Sequence, residues 1–139
     1  MTDPRHVHFI AVKNILRYLE GYVDSDWAGS AIDRKSTSGC CFSMGSIMIS
    51  WFSRKQSYVA LSTVEAEYVT ACSASCEVVW LRKLLFDIFD LQLDATCIHC
   101  DNQSHVKLLE NSVFHEKLKH IEIKYHYIRD MVQRGVVKL

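Results

Sequence analysis

The spacing of apolar residues changes near position 62, and this change constrains the fold more than any other feature of the sequence. Before it, residues 21–61 read as short β-prone segments, and Gly45-Ser46 has the composition of a hairpin turn. After it, Ser62-x-x-Glu65 matches a capping box and predicts the start of a long helix. An antiparallel meander followed by helix-linked strands predicts an α/β fold with a mixed sheet and helices packed on it. The other predicted elements are a helix over 4–20, the long helix over about 63–89, a strand over 95–100, helices over 103–109 and 118–133, and a strand over 136–139.

The same periodicities predict which side chains are buried. In the second hairpin strand, Ile47, Ile49 and Trp51 alternate with polar or smaller residues, as in a half-buried strand. We expect the three tryptophans and the tyrosines to lie in the core rather than to stack on bases. The buried face predicted for the long helix comprises Val64, Tyr68, Ala71, Cys72, Val79, Phe86 and Phe89, with Thr70, Ser73 and Glu77 opposite.

Length and composition indicate one globular domain. The chain has 139 residues, of which 49% are hydrophobic and 23% charged. We predict neither a signal peptide nor a membrane span. The 16 basic and 16 acidic residues cancel, which argues against a strong free-standing nucleic-acid binder because phosphate contacts dominate such binding. This neutrality does not exclude a catalytic module that a larger partner holds on its substrate.

The six cysteines are predicted to be free, buried thiols of a reducing compartment. A zinc site built from the pairs Cys72/Cys76 and Cys97/Cys100 is the alternative. We disfavour it because the first pair falls on the long helix and the second lies within a strand rather than in a metal-binding turn.

Three carboxylates occupy positions that suit a catalytic site. Asp24 lies inside the first strand, Glu67 one turn into the long helix, and Asp101 at the end of the 95–100 strand. Open α/β sheets build their sites at the carboxyl ends of parallel strands. Carboxylates that are close together need a compensating cation, and Mg²⁺ prefers such oxygen ligands. The alternative for Asp101 is that it caps the helix that follows.

Six motifs occur in order between residues 21 and 130, and together they resemble the ribonuclease H domain of copia-type retrotransposons. The preceding AVKNILRYLEG is similar to the end of the reverse transcriptase in that family. Any one motif is weak, whereas six in order are highly specific. They are GYVDSDWAG, DRKSTSG, ISWFSRKQ, ALSTVEAEYVTA, HCDNQSHVKLLEN and FHEKLKHIEIKYHYIRD.

The resemblance implies a ribonuclease H fold, a five-stranded mixed sheet flanked by helices, in residues 21–139, with residues 1–20 left from the last helix of a reverse transcriptase. It implies hydrolysis of the RNA strand of RNA–DNA hybrids with two Mg²⁺ or Mn²⁺ ions. Asp24, Glu67 and Asp101 match the catalytic, metal-binding carboxylates. The expected partners are the hybrid and the reverse transcriptase domain of a Pol polyprotein, with no membrane, in a cytoplasmic virus-like particle.

Two of these assignments have a neighbouring alternative. Asp26 shares a strand face with Asp24, but it lies nearer the turn, so we favour Asp24. Glu65 is the alternative to Glu67. We favour Glu67 because the capping box occupies Glu65 with backbone donors.

The other polar residues give weaker signals. Asn102 and Gln103 are candidates for hydrogen bonds to sugar hydroxyls. His115, His120 and His126 lack metal-ligand spacing and are expected to be structural or at the surface. A basic, hydroxyl-rich loop is a candidate for phosphate contact, although a solvated turn is the preferred interpretation, and the same holds for Arg54-Lys55-Gln56. The loop comprises Arg34, Lys35, Ser36, Thr37 and Ser38.

The sequence also departs from the family pattern. The family has a further helix with a fourth catalytic carboxylate, whereas this sequence ends at Leu139 within the matching strand. A connecting stretch before GYVDSDWAG is missing, which indicates an internal deletion, and Val64 stands where the family usually has threonine. We therefore expect weak or absent activity. The alternative is a non-catalytic remnant that binds only nucleic acid or protein.

Overall fold

The computed structural model describes residues 18–101 and 122–139, together with Val7, Ile10 and Ala11. Those three residues are helical. The other residues of the predicted helix before Tyr18 lie outside the described residues, and Tyr18 itself is not helical. The same is true of the predicted helix over 103–109, of residues 118–121, and of Asn102, Gln103, His115 and His120.

Five strands form one mixed sheet in the order β3-β2-β1-β4-β5, as the fold prediction requires. β1 pairs antiparallel with β2 and parallel with β4, while β2 pairs antiparallel with β3 and β4 parallel with β5. The strands are β1 (Leu19–Asp26), β2 (Thr37–Met44), β3 (Ile47–Lys55), β4 (Thr96–Cys100) and β5 (Val137–Lys138); the helices are α1 (Thr63–Phe89) and α2 (Glu122–Gln133).

The local signals placed most element boundaries correctly. Gly45, at φ 61°, makes the β2–β3 turn, because glycine adopts positive φ at no steric cost. Two boundaries differ from the predictions. Leu19 and Glu20 belong to β1 rather than to the N-terminal helix, and β2 begins at Thr37, within the predicted hydroxyl-rich loop. β1 and β2 pair with each other over their full lengths, from Leu19 opposite Met44 to Asp26 opposite Thr37, and this pairing sets both boundaries.

One face of the sheet is covered by α1 and α2, and the core lies there. Leu19 of β1, Phe42 of β2 and Ile98 of β4 are buried against α1 residues such as Val78. On α1 the buried residues differ in part from the predicted face. Tyr68, Ala71 and Cys72 are buried as predicted, whereas Val79, Phe86 and Phe89 are exposed and Thr70 is fully buried. The helix carries apolar residues on several sides, so periodicity could not identify the side that meets the sheet.

The prediction for β3 is wrong about which residues face the core. Ile47, Ile49 and Trp51 are exposed, and Phe52 packs against the core instead. The pairing explains the difference, because Phe52 lies opposite the buried Cys40, and residues opposite each other share a face.

Two residue classes are less buried than predicted. Trp27, Trp51 and Trp80 are all exposed, so the tryptophans are not core residues; among the tyrosines, Tyr68 is buried and Tyr18 and Tyr22 are exposed. All six cysteines are free, as predicted, but only Cys40 and Cys72 are buried and Cys76 is exposed.

Within the described residues, no helix has the length and apolar character needed to cross a membrane.

Candidate active site

Neighbouring parallel strands bring Asp24 and Asp101 to the same edge of the sheet. The last paired residues of β1 and β4 are Val23 and Cys100, and each aspartate directly follows its member of that pair. Both aspartates are exposed. The sheet therefore places two carboxylates side by side at the carboxyl ends of parallel strands, where open α/β sheets build their sites.

The first turns of α1 bring Glu67 to the same place. Ser62 caps the helix by accepting a hydrogen bond from the Glu65 N–H at 3.2 Å. Asp24, Glu67 and Asp101 all line one small cleft of about 10 Å³, together with Val23, Ser25, Thr70 and Cys100. That volume is about what one water molecule needs.

The two alternative carboxylates do not line this cleft. Glu65 is buried, and its carboxylate accepts a hydrogen bond from the Leu61 N–H at 2.6 Å. In a capping box the donor would be the N–H of Ser62, whereas here it is the N–H of the preceding Leu61. The Glu65 carboxylate is nevertheless bound to a backbone donor, as the capping-box argument expected. The Asp26 carboxylate folds onto the turn at Gly29, since a Cβ on that glycine would lie 1.9 Å from Asp26 Oδ2.

The cleft has a negative electrostatic environment. Burial, together with the charges of Glu67 and Asp101, raises the pKa of the Cys100 thiol to about 11. Cys100, Glu67 and Asp101 all line the cleft, so the cleft carries the negative charge that favours a bound cation. Carboxylate oxygens are also the hard ligands that Mg²⁺ prefers, so the donor set of the cleft fits Mg²⁺ or Mn²⁺.

The arrangement of the three carboxylates is open rather than closed. Among the described residues, no group of three or more histidine, cysteine, aspartate or glutamate side chains stands in a metal-holding arrangement. The strand alternation gives a reason: Asp24 is exposed between the half-buried Val23 and Ser25, so its side chain leaves β1 on the face away from α1.

Buried hydroxyls and an amide form the wall behind the cleft. Thr70 Oγ1 donates to Ser38 Oγ at 2.7 Å, and the Gln56 amide donates to Ser38 Oγ at 2.9 Å and to the Ala66 carbonyl at 2.8 Å. Sequence reasoning missed this network. Ser38 was predicted to lie in a solvated turn and Thr70 on the exposed side of α1, but both are buried.

The rest of the hydroxyl-rich loop also has structural contacts. Ser36 is fully buried, and its Oγ accepts a hydrogen bond from the Ala28 N–H at 3.1 Å. Lys55 pairs with Asp33 at 2.8 Å, and hydrogen bonding to Lys55 lowers the pKa of that carboxyl. The exposed Arg34 fits the predicted turn. His126 on α2 is exposed, as expected for a surface histidine.

Comparisons with known proteins agree on the family and the fold. The chain is 38% identical over 156 residues to the retrovirus-related Pol polyprotein from transposon TNT 1-94 of Nicotiana tabacum, a match that covers 100% of this chain and 12% of that protein. It is 38% identical over 157 residues to the corresponding polyprotein from transposon RE1 of Arabidopsis thaliana, covering 100% of this chain and 11% of that protein. No family model matches.

The chain therefore spans only about an eighth of the length of these relatives. The aligned stretch of 156 positions exceeds the 139 residues of the chain by 17, so the alignment contains gaps in this chain. Among solved structures, LC11-RNase H1 in complex with an RNA/DNA hybrid superimposes with a TM-score of 0.58 at 13% identity, covering 85% of this chain and 78% of that one.

Proposed function

We propose that this chain hydrolyses the RNA strand of RNA–DNA hybrids with a divalent metal, because it is similar over its whole length to retrovirus-related Pol polyproteins of transposons and has the ribonuclease H fold. The observation that carries the proposal is that Asp24, Glu67 and Asp101, distant in sequence, line one cleft at the carboxyl ends of β1 and β4. The hybrid named for the similar solved structure supports the choice of substrate.

In the proposed mechanism Asp24 and Asp101 on adjacent strands and Glu67 on α1 would hold Mg²⁺ or Mn²⁺. When bound, a pair of such ions would supply an activated water and stabilise the leaving oxygen. Glu67 would also orient the attacking water. The Thr70–Ser38–Gln56 network keeps the cleft wall in place, because each of its groups is buried and hydrogen-bonded. Residues 1–20 are the proposed reverse transcriptase remnant, and that domain of the polyprotein is the proposed partner.

Cleavage of a labelled RNA–DNA hybrid in Mg²⁺ and in Mn²⁺ tests the proposal. We expect Asp24→Asn, Glu67→Gln and Asp101→Asn each to lower the rate by about 100-fold or more, since a metal ion supplies several kcal/mol of transition-state stabilisation. Asp26→Asn is the matched control, because it makes the same change two residues away and outside the cleft. Its rate should stay within about threefold of the parent, a change of under 1 kcal/mol.

A second candidate is a non-catalytic domain that binds nucleic acid or protein. The open arrangement of the carboxylates favours it. Titration with Mg²⁺ and Mn²⁺ by calorimetry separates the two candidates. A catalytic site binds metal and loses this binding in Asp101→Asn. A folded protein that neither binds metal nor cleaves the hybrid would exclude the nuclease proposal and leave the binding domain.

A further inference from the structure

The outer edge of β3 is the longest unpaired strand edge among the strands that the structure describes. The two strands at the edges of the sheet are β3, with nine residues, and β5, with two. We call the side of Ile47–Lys55 that faces away from β2 the β3 edge. Seven of these nine residues are exposed, and an edge strand presents free N–H and C=O groups to a further strand. The β3 edge can therefore accept another strand, whereas β5 offers too little backbone.

The sequence of β3 lacks most of the features that protect such an edge. Proteins blunt exposed edges with charged side chains, above all lysine, or with proline. Between Lys35 and Arg54 the chain has no charged residue and no proline. The pairing with β2 shifts at Ile49, which is a bulge, so the regular part of the strand runs from Ser50 to Lys55. Most of the edge is therefore a regular strand without charge before its last two residues.

The side chains that flank the β3 edge on the open face of the sheet are uncharged. Trp51 is exposed and lies opposite Cys41, which in turn lies opposite Tyr22. Residues opposite each other share a face, so these three side chains form one row across β3, β2 and β1. A strand added beyond β3 would cover the outer side of Trp51.

The covered side of the β3 edge is apolar as well. Ser50 Oγ donates a hydrogen bond to the Glu77 carboxylate at 2.8 Å, so the side of α1 that carries Glu77 faces β3. Trp80, Leu84 and Ile88 continue that side of the helix at helical spacing, and all three are exposed. The β3 edge is thus flanked by exposed apolar side chains on both faces of the sheet.

The composition of the β3 edge favours a protein strand over a nucleic acid as its partner. Binding to a phosphate backbone depends on lysine and arginine, and residues 36–53 contain neither. An added strand satisfies the free backbone groups and covers the flanking apolar side chains at the same time. The chain itself carries such an uncharged strand in β3, so a second copy has what the edge requires.

Antiparallel pairing of β3 with its own copy also satisfies symmetry and charge. A two-fold axis relates two such strands, and two-fold dimers are the commonest homo-oligomers. With Trp51 near this axis, it faces the partner's Trp51, and aromatic cross-strand pairs stabilise sheets. The two copies of Arg54 are then six positions from one another along the strands, about 20 Å apart. Salt screens exposed charges at that distance, whereas parallel pairing would place the two arginines side by side.

We propose that the chain forms a two-fold dimer by antiparallel pairing of its β3 edges, which joins the two sheets into one. The interface is a single strand pair, smaller than that of a standard stable complex, so the dimer is weak and the chain is a monomer at low concentration. The carboxylate cleft lies on β1, β4 and α1, with β2 between β1 and the paired edge. This inference therefore does not depend on the proposed function.

Sedimentation equilibrium of the full chain tests the dimer. Protein is compared between about 10 µM and about 500 µM, the range in which a small interface associates, with a reductant because the six cysteines are free. We expect the mean mass to rise from that of one chain toward that of two. Trp51→Lys should raise the dissociation constant at least about 10-fold, since a lysine protects an edge. The matched control is Tyr22→Lys, which places the same residue in the same row but on the interior strand β1, and its dissociation constant should stay within about threefold of the parent.

Amide hydrogen exchange locates the contact within the chain. We expect the amides of Ile47–Lys55 to exchange at least about threefold more slowly at the highest concentration than at the lowest, because pairing closes the hydrogen bonds of the edge. The interior strand Thr96–Cys100 should exchange equally at both concentrations. This measurement uses the parent protein, so it decides the question even if Trp51→Lys does not fold.

Three results would overturn the proposal. The first is the mass of one chain at every concentration. The second is association that Tyr22→Lys weakens as much as Trp51→Lys does, both variants being shown to be folded by thermal unfolding, because the contact would then lie on the open face rather than at the edge. The third is slow exchange of Ile47–Lys55 at every concentration, which would mean that another part of the same chain covers the edge.

Discussion

The two faces of the sheet are built from the same strands but have opposite environments. On the covered face, Phe42 and Ile98 are fully buried beneath the helices. On the open face, Trp51 is 69% exposed and Tyr22 is 45% exposed. Tyr22 stacks on His99 with ring centroids 4.8 Å apart. Because alternate residues of one strand point to opposite faces, a single position separates a core residue from a surface residue.

The candidate active site lies at the end of the β1–β4 pairing, between the two faces of the sheet. Asp24 leaves β1 on the open face, whereas Glu67 belongs to α1, which packs on the covered face. The candidate site therefore joins a carboxylate on a capped helix to two carboxylates on paired parallel strands. The covered face holds the buried core, and the candidate site lies beside that core rather than within it.

Truncation of Phe42 tests the covered face most severely. The side chain is fully buried in the main core cluster. We expect Phe42→Ala to lower the free energy of unfolding by about 3–5 kcal/mol, since removal of a buried aromatic ring leaves a cavity. Urea unfolding followed by circular dichroism measures the loss. A loss below about 1 kcal/mol would contradict the assignment of the core to this face.

The substitution Gly21→Ala tests the covered face by adding a methyl group to the packed core. A Cβ at this position would lie 2.6 Å from Phe42 Cε1 and 3.4 Å from Ile98 Cγ1. We expect Gly21→Ala to cost about 1–3 kcal/mol of stability, because a close-packed core absorbs extra volume poorly. The double variant Gly21→Ala, Phe42→Leu should show a coupling that recovers part of this cost. Strictly additive losses would show that the clash is relieved elsewhere.

The contrast between the faces also explains how much could be predicted. The order of elements followed from local signals, such as the cap at Ser62 and the turn at Gly45. The wrong assignment of Trp51 to the core has a nonlocal cause. Its strand partner is Cys41, whereas Phe52 pairs with the buried Cys40. Two large aromatic residues in succession give no local indication of which one faces the helices, so only the register decides.

The candidate site was predictable for a different reason. Spacing alone could not bring Asp24 to Asp101, because their proximity depends on the parallel pairing of β1 with β4. The family resemblance supplied that pairing, and the structure places both residues and Glu67 on one cleft. The buried hydroxyl network was missed because Ser38 and Thr70 are polar residue types that usually lie at the surface. The catalytic roles of Asp24, Glu67 and Asp101 stay predictions until the cleavage assay is done.

Thr70 tests whether the polar wall of the cleft stabilises the covered face. Its hydroxyl donates to Ser38 at 2.7 Å and also lies 2.9 Å from the Ala66 carbonyl. We expect Thr70→Val, which keeps the shape, to cost about 1–2 kcal/mol by leaving buried groups unsatisfied. Ser73→Ala is the control, since that half-buried hydroxyl bonds only to the Val69 carbonyl of its own helix among the described contacts. Equal losses in the two variants would show that burial of Thr70 adds nothing.

Trp51 should give the smallest effect and the most direct test of the open face. Its exposure predicts that Trp51→Ala changes the free energy of unfolding by no more than about 0.5 kcal/mol, as for most surface substitutions. The comparison with Phe42→Ala is sharp because both are aromatic residues on adjacent strands, one on each face. A loss above 1 kcal/mol for Trp51→Ala would mean that the open face is covered in solution. Repeating the measurement at two protein concentrations would then distinguish a second copy of the chain, whose stabilisation rises with concentration, from a segment of the same chain, whose stabilisation does not.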